Sequence, residues 1–203
     1  MNKSSHTPSR PFRRLLPALL ATLAFGLLAA GCGESSSTYE GSPPPDYASK
    51  LADAPPPLAA LYAQENELLD GGKDAFNEQM AELKGFPVVV NIWASWCGPC
   101  RAEFPHFQDA SAELGREVAF LGIDSLDDAD AAATFLRDNP VPYPSFSDPD
   151  REIGEELELP RGLPATLFFD ENGEKTYLRQ GGYDSLESLK EDIQTWAVEG
   201  GQG

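Results

Sequence analysis

The chain carries the stretch NIWASWCGPCRAEFP from Asn91 to Pro105, in which two cysteines stand two residues apart. An apolar run, VVVNIW at 88–93, leads into the pair, and a β-branched run of this kind is typical of a strand covered on both faces. The residues after the pair predict a helix from Cys97 to Leu114. The two cysteines therefore stand where a buried strand gives way to a helix.

Two cysteines at a helix start are suited to redox exchange. Cys97 and Cys100 would be neighbours on one turn, close enough for a disulfide. Free backbone N–H groups and the positive end of the helix dipole stabilise a thiolate there, so the thiol pKa falls from ~8.5 to about 7 or below. We expect Cys97 to attack a disulfide and Cys100 to resolve the product. Gly98 and Pro99 shape the turn, and Trp96 offers an apolar surface to a partner's disulfide.

Other uses of the cysteine pair have less support. A disulfide that closes a four-residue loop removes little chain entropy, so it is a poor stabiliser. A structural zinc site needs four ligands, and the remaining candidates in the chain are Cys32, His6 and His106. A copper site formed by Cys97, Cys100 and His106 stays open as an alternative.

The N-terminus has the pattern of an export signal. The first 14 residues hold four basic residues and no acid, and residues 15–30 are mostly apolar. This run is shorter than the ~20 residues that a membrane-spanning helix needs, so we predict a signal peptide over residues 1–31. The sequence LLAAGC at 27–32 resembles the bacterial lipobox, although Ala29 stands where leucine is usual. The resemblance implies a lipid on Cys32 that tethers the exported protein to the outer face of the cytoplasmic membrane; ordinary cleavage and an uncleaved anchor are the alternatives.

The remaining residues are strongly acidic and begin with a polar segment. Without residues 1–31 the chain has 11 basic and 33 acidic residues, a net charge of −22, which argues against nucleic acid as a partner. Residues 32–57 are rich in Ser and Pro and include two PPP triplets, so we predict a semi-extended linker without a packed core. The folded domain then covers residues 58–203.

The periodicity of this domain predicts alternating helices and strands. We expect helices at 58–69, 74–83 (capped by Asp74), 127–137, 151–157 and from a Ser185 cap to Val198, and strands at 118–124, 145–147, 165–170 and 175–179. The last two strands are joined by a turn with Asn-Gly at its centre, which is a hairpin signal. The order predicts an α/β fold with a mixed central sheet and helices on both faces.

The cysteine motif also carries a family resemblance. WCGPC with its flanks resembles thioredoxin, and the stretch 91–105 together with the signal sequence resembles the TlpA/ResA branch of membrane-anchored thiol–disulfide oxidoreductases. The resemblance covers residue 58 to the end and implies a thioredoxin-like fold with a helix–strand insertion at 124–147. Glu103 matches a glutamate that this branch carries near its active site; the alternative is a charge that complements the helix dipole. Asn91 replaces the buried aspartate of cytoplasmic thioredoxins.

A second motif, GLPATLFFD at 162–170, resembles the loop whose cis-proline faces the cysteines in this superfamily. The resemblance assigns that role to Pro164 and implies that the backbone of Leu163 pairs with an extended substrate strand. A trans-proline at the start of a strand is the alternative from the sequence itself.

The resemblance implies an extracytoplasmic reductase of protein disulfides that needs no cofactor, with a purpose in cytochrome c maturation. Its partners would be a protein disulfide or dithiol and a membrane electron donor such as a transmembrane thiol reductase. The Gly-Pro dipeptide is that of thioredoxin, with a potential of about −270 mV against about −120 mV for the oxidant DsbA. The alternatives are an oxidase that forms disulfides in exported proteins and a non-catalytic copper-binding or metallochaperone module.

Overall fold

The run Val88–Trp93 forms strand β2 of the sheet in the computed structural model, which describes residues 43–201. Every residue of β2 is buried, as expected for a strand covered on both faces. The other strands of the described residues are β1 Leu68–Leu69, β3 Ala119–Ser125, β4 Ser145–Asp148, β5 Ala165–Phe169 and β6 Lys175–Gln180. They form one sheet with the order β1-β4-β3-β2-β5-β6.

The sheet is mixed, as the sequence predicts. Strands β1, β4, β3 and β2 run parallel to one another, whereas β5 runs antiparallel to β2 and pairs with β6 in an antiparallel hairpin. The hairpin turn contains Gly173 with a φ of 83°, a left-handed conformation that glycine adopts without a steric penalty. Because β5 reverses direction, this turn lies at the end of the sheet opposite to the cysteine pair.

The helices of the described residues are α1 Tyr47–Lys50, α2 Pro56–Tyr62, α3 Gly72–Glu82, α4 Gly98–Leu114, α5 Ala129–Asp138, α6 Glu152–Glu156 and α7 Leu186–Asp192. Helix α7 continues as a π-helical segment, Ile193–Val198. The predicted Ser185 cap is present, since its hydroxyl accepts the N–H of Ser188 at the start of α7. Cys97, predicted as the first residue of α4, is its N-cap. The predicted strand–helix order from β2 onward is confirmed.

Helices cover both faces of the sheet. Phe104 of α4 packs edge-on against Trp93 of β2, with ring centroids 5.4 Å apart. Phe76 of α3 packs edge-on against Phe146 of β4 at 5.5 Å. The strand registers place Trp93 and Phe146 on opposite faces, because side chains alternate along a strand. Helices α3 and α4 therefore lie on opposite sides, and the thioredoxin-like α/β fold is confirmed.

The segment 124–147 contains the helix–strand pair α5–β4 that the resemblance implies. Strand β4 lies between β3 and β1, so the pair adds a strand inside the sheet rather than at its edge. Phe135 of α5 contacts both Trp93 and Phe104, with ring centroids 5.3 and 4.7 Å apart. This aromatic cluster holds α5 beside the first turns of α4, next to the cysteine pair.

Two local predictions are wrong. The helix predicted at 58–69 ends at Tyr62, and Leu68–Leu69 instead pairs with β4 as a two-residue strand. Glu65 has a φ of 50°, which a helix does not accommodate, and two residues are too few for a strand pattern to show. Asp74 is not a cap: α3 starts earlier, at a left-handed Gly71 with a φ of 108°, and Asp74 lies in its first turn.

The described part of the predicted linker is not a free spacer. Asp46 caps α1, and the hydroxyl of Tyr47 donates a hydrogen bond to the carbonyl of Pro140 at 3.1 Å. Leu51 packs against the core, and α2 already begins at Pro56. Contacts with the domain therefore start about a dozen residues before residue 58. The predicted signal peptide, Cys32 and residues 33–42 lie outside the described residues.

Within residues 43–201, no helix combines the length and the apolar character needed to cross a membrane.

Candidate active site

Strand β2 and helix α4 position the cysteine pair. The chain leaves β2 at Trp93, and the N–H of Cys97 donates to the carbonyl of Ala94 to form a tight turn. Cys97 then caps α4, whose first turn contains Gly98 and Pro99. Proline suits this position because its fixed φ matches a helix and it has no N–H to leave unpaired. The sulfur atoms of Cys97 and Cys100 are joined in a disulfide, with their Cα atoms 5.3 Å apart.

The two sulfur atoms are not equivalent. Cys97 has 4% of its surface exposed and Cys100 has none, so an approaching disulfide meets the sulfur of Cys97 first. The N–H of Cys100 donates to the sulfur of Cys97 at 3.2 Å. This donor and the helix N-terminus stabilise negative charge on Cys97 when the pair is reduced.

Trp96 forms an exposed apolar surface beside Cys97. Its side chain is 61% exposed, although its indole N–H donates to the carbonyl of Leu126 at 3.0 Å. Leu126 is itself 40% exposed. Together they place two large apolar groups next to the accessible sulfur, where an apolar part of a partner can pack.

The loop before β5 lies against the start of α4. The Leu163–Pro164 peptide bond is cis, Pro164 is buried and Leu163 packs against the core. The link to α4 is Gly182, in the loop after β6. A Cβ atom built on Gly182 would lie 3.5 Å from Cγ of Pro164, 3.8 Å from the carbonyl oxygen of Pro99 and 3.4 Å from a carboxyl oxygen of Glu103.

Sequence and structure comparisons identify the family. The model of the AhpC/TSA family matches residues 63–177, which is more than half of the chain. The chain belongs to this family. The matched region contains β2, the cysteine pair, α4 and the Pro164 loop.

Curated relatives of the chain are thiol–disulfide oxidoreductases. The thiol:disulfide interchange protein DsbE of Escherichia coli is 32% identical over 168 residues, which cover 82% of this chain and 84% of that protein. The thiol–disulfide oxidoreductase ResA of Oceanobacillus iheyensis is 32% identical over 123 residues, or 59% of this chain; the match spans 64% of ResA, less than two thirds of its length. This member of the AhpC/TSA family is a thiol–disulfide oxidoreductase of the DsbE/ResA type.

Solved structures agree with this assignment. A secreted Mycobacterium tuberculosis disulfide oxidoreductase, described as homologous to Escherichia coli DsbE, superposes with a TM-score of 0.52 at 26% identity. The superposition covers 57% of this chain and 85% of that one.

Glu103 of this oxidoreductase is fully buried one turn below Cys100. One carboxyl oxygen accepts the side-chain N–H of Asn91 at 2.9 Å, and the other accepts the backbone N–H of Tyr183 at 3.1 Å. Burial raises the pKa of Glu103 to about 7, although these two hydrogen bonds and the charge of Arg179 pull it down. A surface charge that only complements the helix dipole would be exposed, so the burial of Glu103 argues against that alternative.

The position of Glu103 also accounts for Asn91. The sequence suggests that the buried proton acceptor of thioredoxins is missing, because Asn91 replaces an aspartate on the strand. In the structure a carboxyl group reaches the same place from α4, and the Asn91 amide donates to it. The strand thus provides the amide donor, Asn91, and the helix provides the buried carboxyl group, Glu103.

Three site residues escaped the sequence analysis: Gln180, Gly182 and Tyr183. The Gln180 amide donates to the carbonyls of Gly162 and Pro164, at 2.9 and 3.0 Å, and so fixes the loop on both sides of Leu163. The Gly181-Gly182 pair after a strand was the available signal, since Gly181 has a φ of 100° and opens the turn that brings Tyr183 to Glu103.

The remaining candidates are not part of this cluster. Among residues 43–201 there is no group of three or more His, Cys, Asp or Glu side chains arranged to hold a metal ion. Cys97, Cys100 and His106 do not form such a group there. Cys32 lies outside the described residues, so its lipidation stays a prediction.

Proposed function

We propose that the chain is an extracytoplasmic reductase of protein disulfides, with Cys97 as nucleophile, Cys100 as resolving thiol and Glu103 as proton acceptor. The main support is the difference in environment between the two sulfur atoms. The sulfur of Cys97 is accessible and accepts an N–H hydrogen bond, whereas Cys100 is enclosed. A metal clasp or a merely structural bridge requires no such difference. Substrate contacts are assigned to Trp96 and to the residues Gly98, Pro99, Leu163 and Pro164.

The exchange proceeds in two steps. The Cys97 thiolate attacks one sulfur of the substrate disulfide, so that a mixed disulfide forms and the second substrate sulfur leaves as a thiolate that takes up a proton. Cys100 then loses its proton and attacks the sulfur of Cys97, which releases the first substrate sulfur. The substrate gains two electrons and two protons, and Cys97 and Cys100 lose the same number.

Glu103 serves the second step. It follows Cys100 by three residues, so the two side chains lie on one face of α4. A carboxyl group with a pKa of about 7 is partly ionised at neutral pH and can accept the proton of a buried thiol. Because Cys100 is enclosed and meets no bulk solvent, a group of the protein has to accept its proton.

The direction of exchange and the partners rest on the sequence. The Gly-Pro dipeptide favours a reductant, and a membrane thiol reductase would restore the dithiol after each cycle. The substrate is a protein disulfide, for which the resemblance suggests apocytochrome c. The tether is a lipid on Cys32, after export through the signal at residues 1–31 and with residues 32–57 as the connecting segment.

The redox potential of the Cys97–Cys100 pair tests the direction. Equilibration with glutathione should give a value closer to about −270 mV than to about −120 mV. A value near −120 mV would exclude the reductase and support an oxidase that forms disulfides in exported proteins. Tight Cu(I) retention without reduction of insulin would instead support a metallochaperone.

The roles of the two cysteines are tested with single substitutions. Cys97→Ser should abolish turnover, because no thiolate is left to attack. Cys100→Ser should accumulate covalent complexes that dithiothreitol releases, and mass spectrometry of these complexes would identify the substrate. Equal residual activity of the two variants would contradict the assigned roles.

The anchor is tested separately from the chemistry. Cys32→Ser should leave the protein in the soluble exported fraction, while its disulfide exchange in solution stays at the wild-type rate. Retention of the variant in washed membranes would show that a lipid on Cys32 is not the tether.

A further inference from the structure

The turn between β3 and α5 holds the segment that precedes Cys97. The carboxylate of Asp127 accepts the backbone N–H of Ser95, and the carbonyl of Leu126 accepts the indole N–H of Trp96. Two consecutive residues of the turn thus bind the two residues immediately before the nucleophile. Leu126 is held in a left-handed conformation, with a φ of 59°, which is costly for a non-glycine residue.

Asp127 is fixed on both of its carboxyl oxygens. The oxygen that does not bind Ser95 accepts the N–H of Asp128 at 2.8 Å. Asp128 in turn caps α5 by accepting the N–H groups of Asp130 and Ala131, each at 3.1 Å. The bond to Ser95 is therefore anchored to a helix start and does not depend on a freely rotating side chain.

A second carboxyl group, that of Asp124, lies beside this anchor. Asp124 is the penultimate residue of β3 and has no exposed surface. Among the described residues no N–H group donates to its oxygens, and its hydrogen-bonding neighbour is the carboxylate of Asp127. Its register partners are Trp93 on β2 and Ser147 on β4, so it faces α4 and α5. The charged groups that act on it are all acidic: Asp127 and Asp128 from the turn, and Asp148 of β4, which pairs with Ser125 and so lies on the other face of the sheet.

We propose that Asp127 is a positioning residue for the Ser95–Cys97 segment and that the protonation of Asp124 controls it. With Asp124 neutral, its proton is donated to the Asp127 carboxylate, which also accepts the N–H groups of Ser95 and Asp128. When Asp124 loses its proton, that bond is lost, two like charges lie side by side, and the bond from Ser95 weakens. Trp96 and the approach to Cys97 then become mobile. This inference rests on the proposed function, because the segment matters through Cys97.

The direction of the effect follows from the surroundings of Asp124. Burial, and then the neighbouring Asp127, raise the pKa of Asp124 to about 8, with further contributions from Asp148 and Asp128. The segment is therefore ordered at neutral pH and loosens as the pH rises through about 8. Arg101 does not oppose this change, because its guanidinium lies over Phe135 and donates to the carbonyl of Ser95.

The test uses the oxidised protein, in which neither cysteine titrates. The indole N–H resonance of Trp96 and the amide resonance of Ser95 are followed by NMR from pH 6 to pH 10. In the wild type both should shift with one midpoint near pH 8. Asp124→Asn should remove that midpoint, whereas Glu103→Gln should leave it in place. Unchanged titration in Asp124→Asn, or a Ser95 amide that does not titrate in the wild type, would overturn the proposal.

Two substitutions of Asp127 separate its charge from its hydrogen bond. Asp127→Asn keeps an oxygen for the N–H of Ser95 but removes the like charge, so the midpoint of Asp124 should fall. Asp127→Ala loses both, and its exchange rate at pH 7 should drop about tenfold through misplacement of the nucleophile. Asparagine should restore the rate, and equal rates for the two variants would contradict a positioning role.

The outcome remains informative if the proposed function fails. A wild-type protein that reduces no protein disulfide would refute the reductase, yet the titration of Trp96 and Ser95 in the oxidised form would still decide the role of Asp124. A wild-type titration together with normal disulfide exchange in Asp127→Ala would refute the inference alone.

Discussion

Two carboxylic acids lie buried at the active-site end of the sheet, and they differ in what surrounds them. Each oxygen of Glu103 accepts one hydrogen bond, whereas among the described residues no N–H group donates to either oxygen of Asp124. Burial is the main cause that raises the pKa of both groups. The neighbours then act in opposite directions: N–H donors and Arg179 lower the pKa of Glu103, while three aspartates raise that of Asp124 further.

The difference in hydrogen-bond donors and charged neighbours suits the two acids to different roles. Glu103 is supplied with donors that stabilise its ionised form, so it can exchange a proton repeatedly at neutral pH. Asp124 has no such support, so its ionisation disturbs the surrounding structure. Neither acid shifts the pKa of the other, because Glu103 bonds to Asn91 of β2 and to the loop after β6, whereas Asp124 lies near the end of β3 beside the turn that holds Asp127. They should titrate independently.

The largest expected effect concerns the resolving step. Glu103→Gln should slow the attack of Cys100 on the mixed disulfide about a hundredfold at pH 7, because the proton acceptor is lost. Asp124→Asn is the matched control and should leave the rate at pH 7 close to that of the wild type. Stopped-flow mixing with a chromogenic disulfide measures both rates. A similar loss of rate in the two variants would mean that both acids support only the local structure and that Glu103 is not the proton acceptor.

The sequence was sufficient to predict Glu103 but not Asp124. Glu103 follows Cys100 by one helical turn, so its place near the sulfurs depends on local geometry and on the resemblance. The burial of Glu103 depends on the loop that carries Gly182 and Tyr183, which is about 80 residues away in the chain. Asp124 looked like the last residue of a strand, and its neighbours were set by the registers of β2 and β4, which no local pattern encodes.

The same contrast holds for the fold. Strand β2 and helix α4 were predicted with nearly correct bounds, because a β-branched run and the helical spacing after the cysteines are local signals. Strand β1 was missed because it has only two residues and is recognised as a strand only by its pairing with β4. The packing of Tyr47 on Pro140 was missed for the same reason, since a Pro-rich composition indicates a linker and cannot show that a distant loop covers it.

The pH dependence of stability gives an intermediate effect. Between its ordinary pKa and its raised pKa, each carboxyl group is protonated in the folded chain and ionised in the unfolded chain. This window runs from pH 4.5 to about 7 for Glu103 and from pH 3.8 to about 8 for Asp124. The free energy of unfolding therefore falls as the pH rises through these windows, by up to about 1.4 kcal/mol per pH unit for each group.

Single substitutions divide that slope between the two acids. Urea unfolding of the oxidised protein at several pH values should show that Glu103→Gln reduces the slope by about half between pH 5 and 7. Asp124→Asn should remove most of the slope between pH 7 and 8, where Glu103 is already more than half ionised. Slopes are compared because either substitution can also change the absolute stability. A wild-type stability that rises over this range would contradict both raised pKa values.

The smallest expected effect tests whether Arg179 distinguishes the two acids. Arg179 forms an ion pair with Asp192 at 3.0 Å, stacks on the ring of Tyr183 and lowers the pKa of Glu103. Arg179→Gln should therefore raise the titration midpoint of Glu103 by a fraction of a pH unit, as followed by carboxyl ¹³C NMR, and should leave the midpoint of Asp124 unchanged. Lys190→Gln, which breaks the ion pair with Glu113, is the matched control, because Lys190 is not among the groups that shift Glu103. An equal shift in both variants would indicate a general effect of net charge, and Asn91 and the N–H of Tyr183 would then be the groups that oppose the effect of burial on the pKa of Glu103.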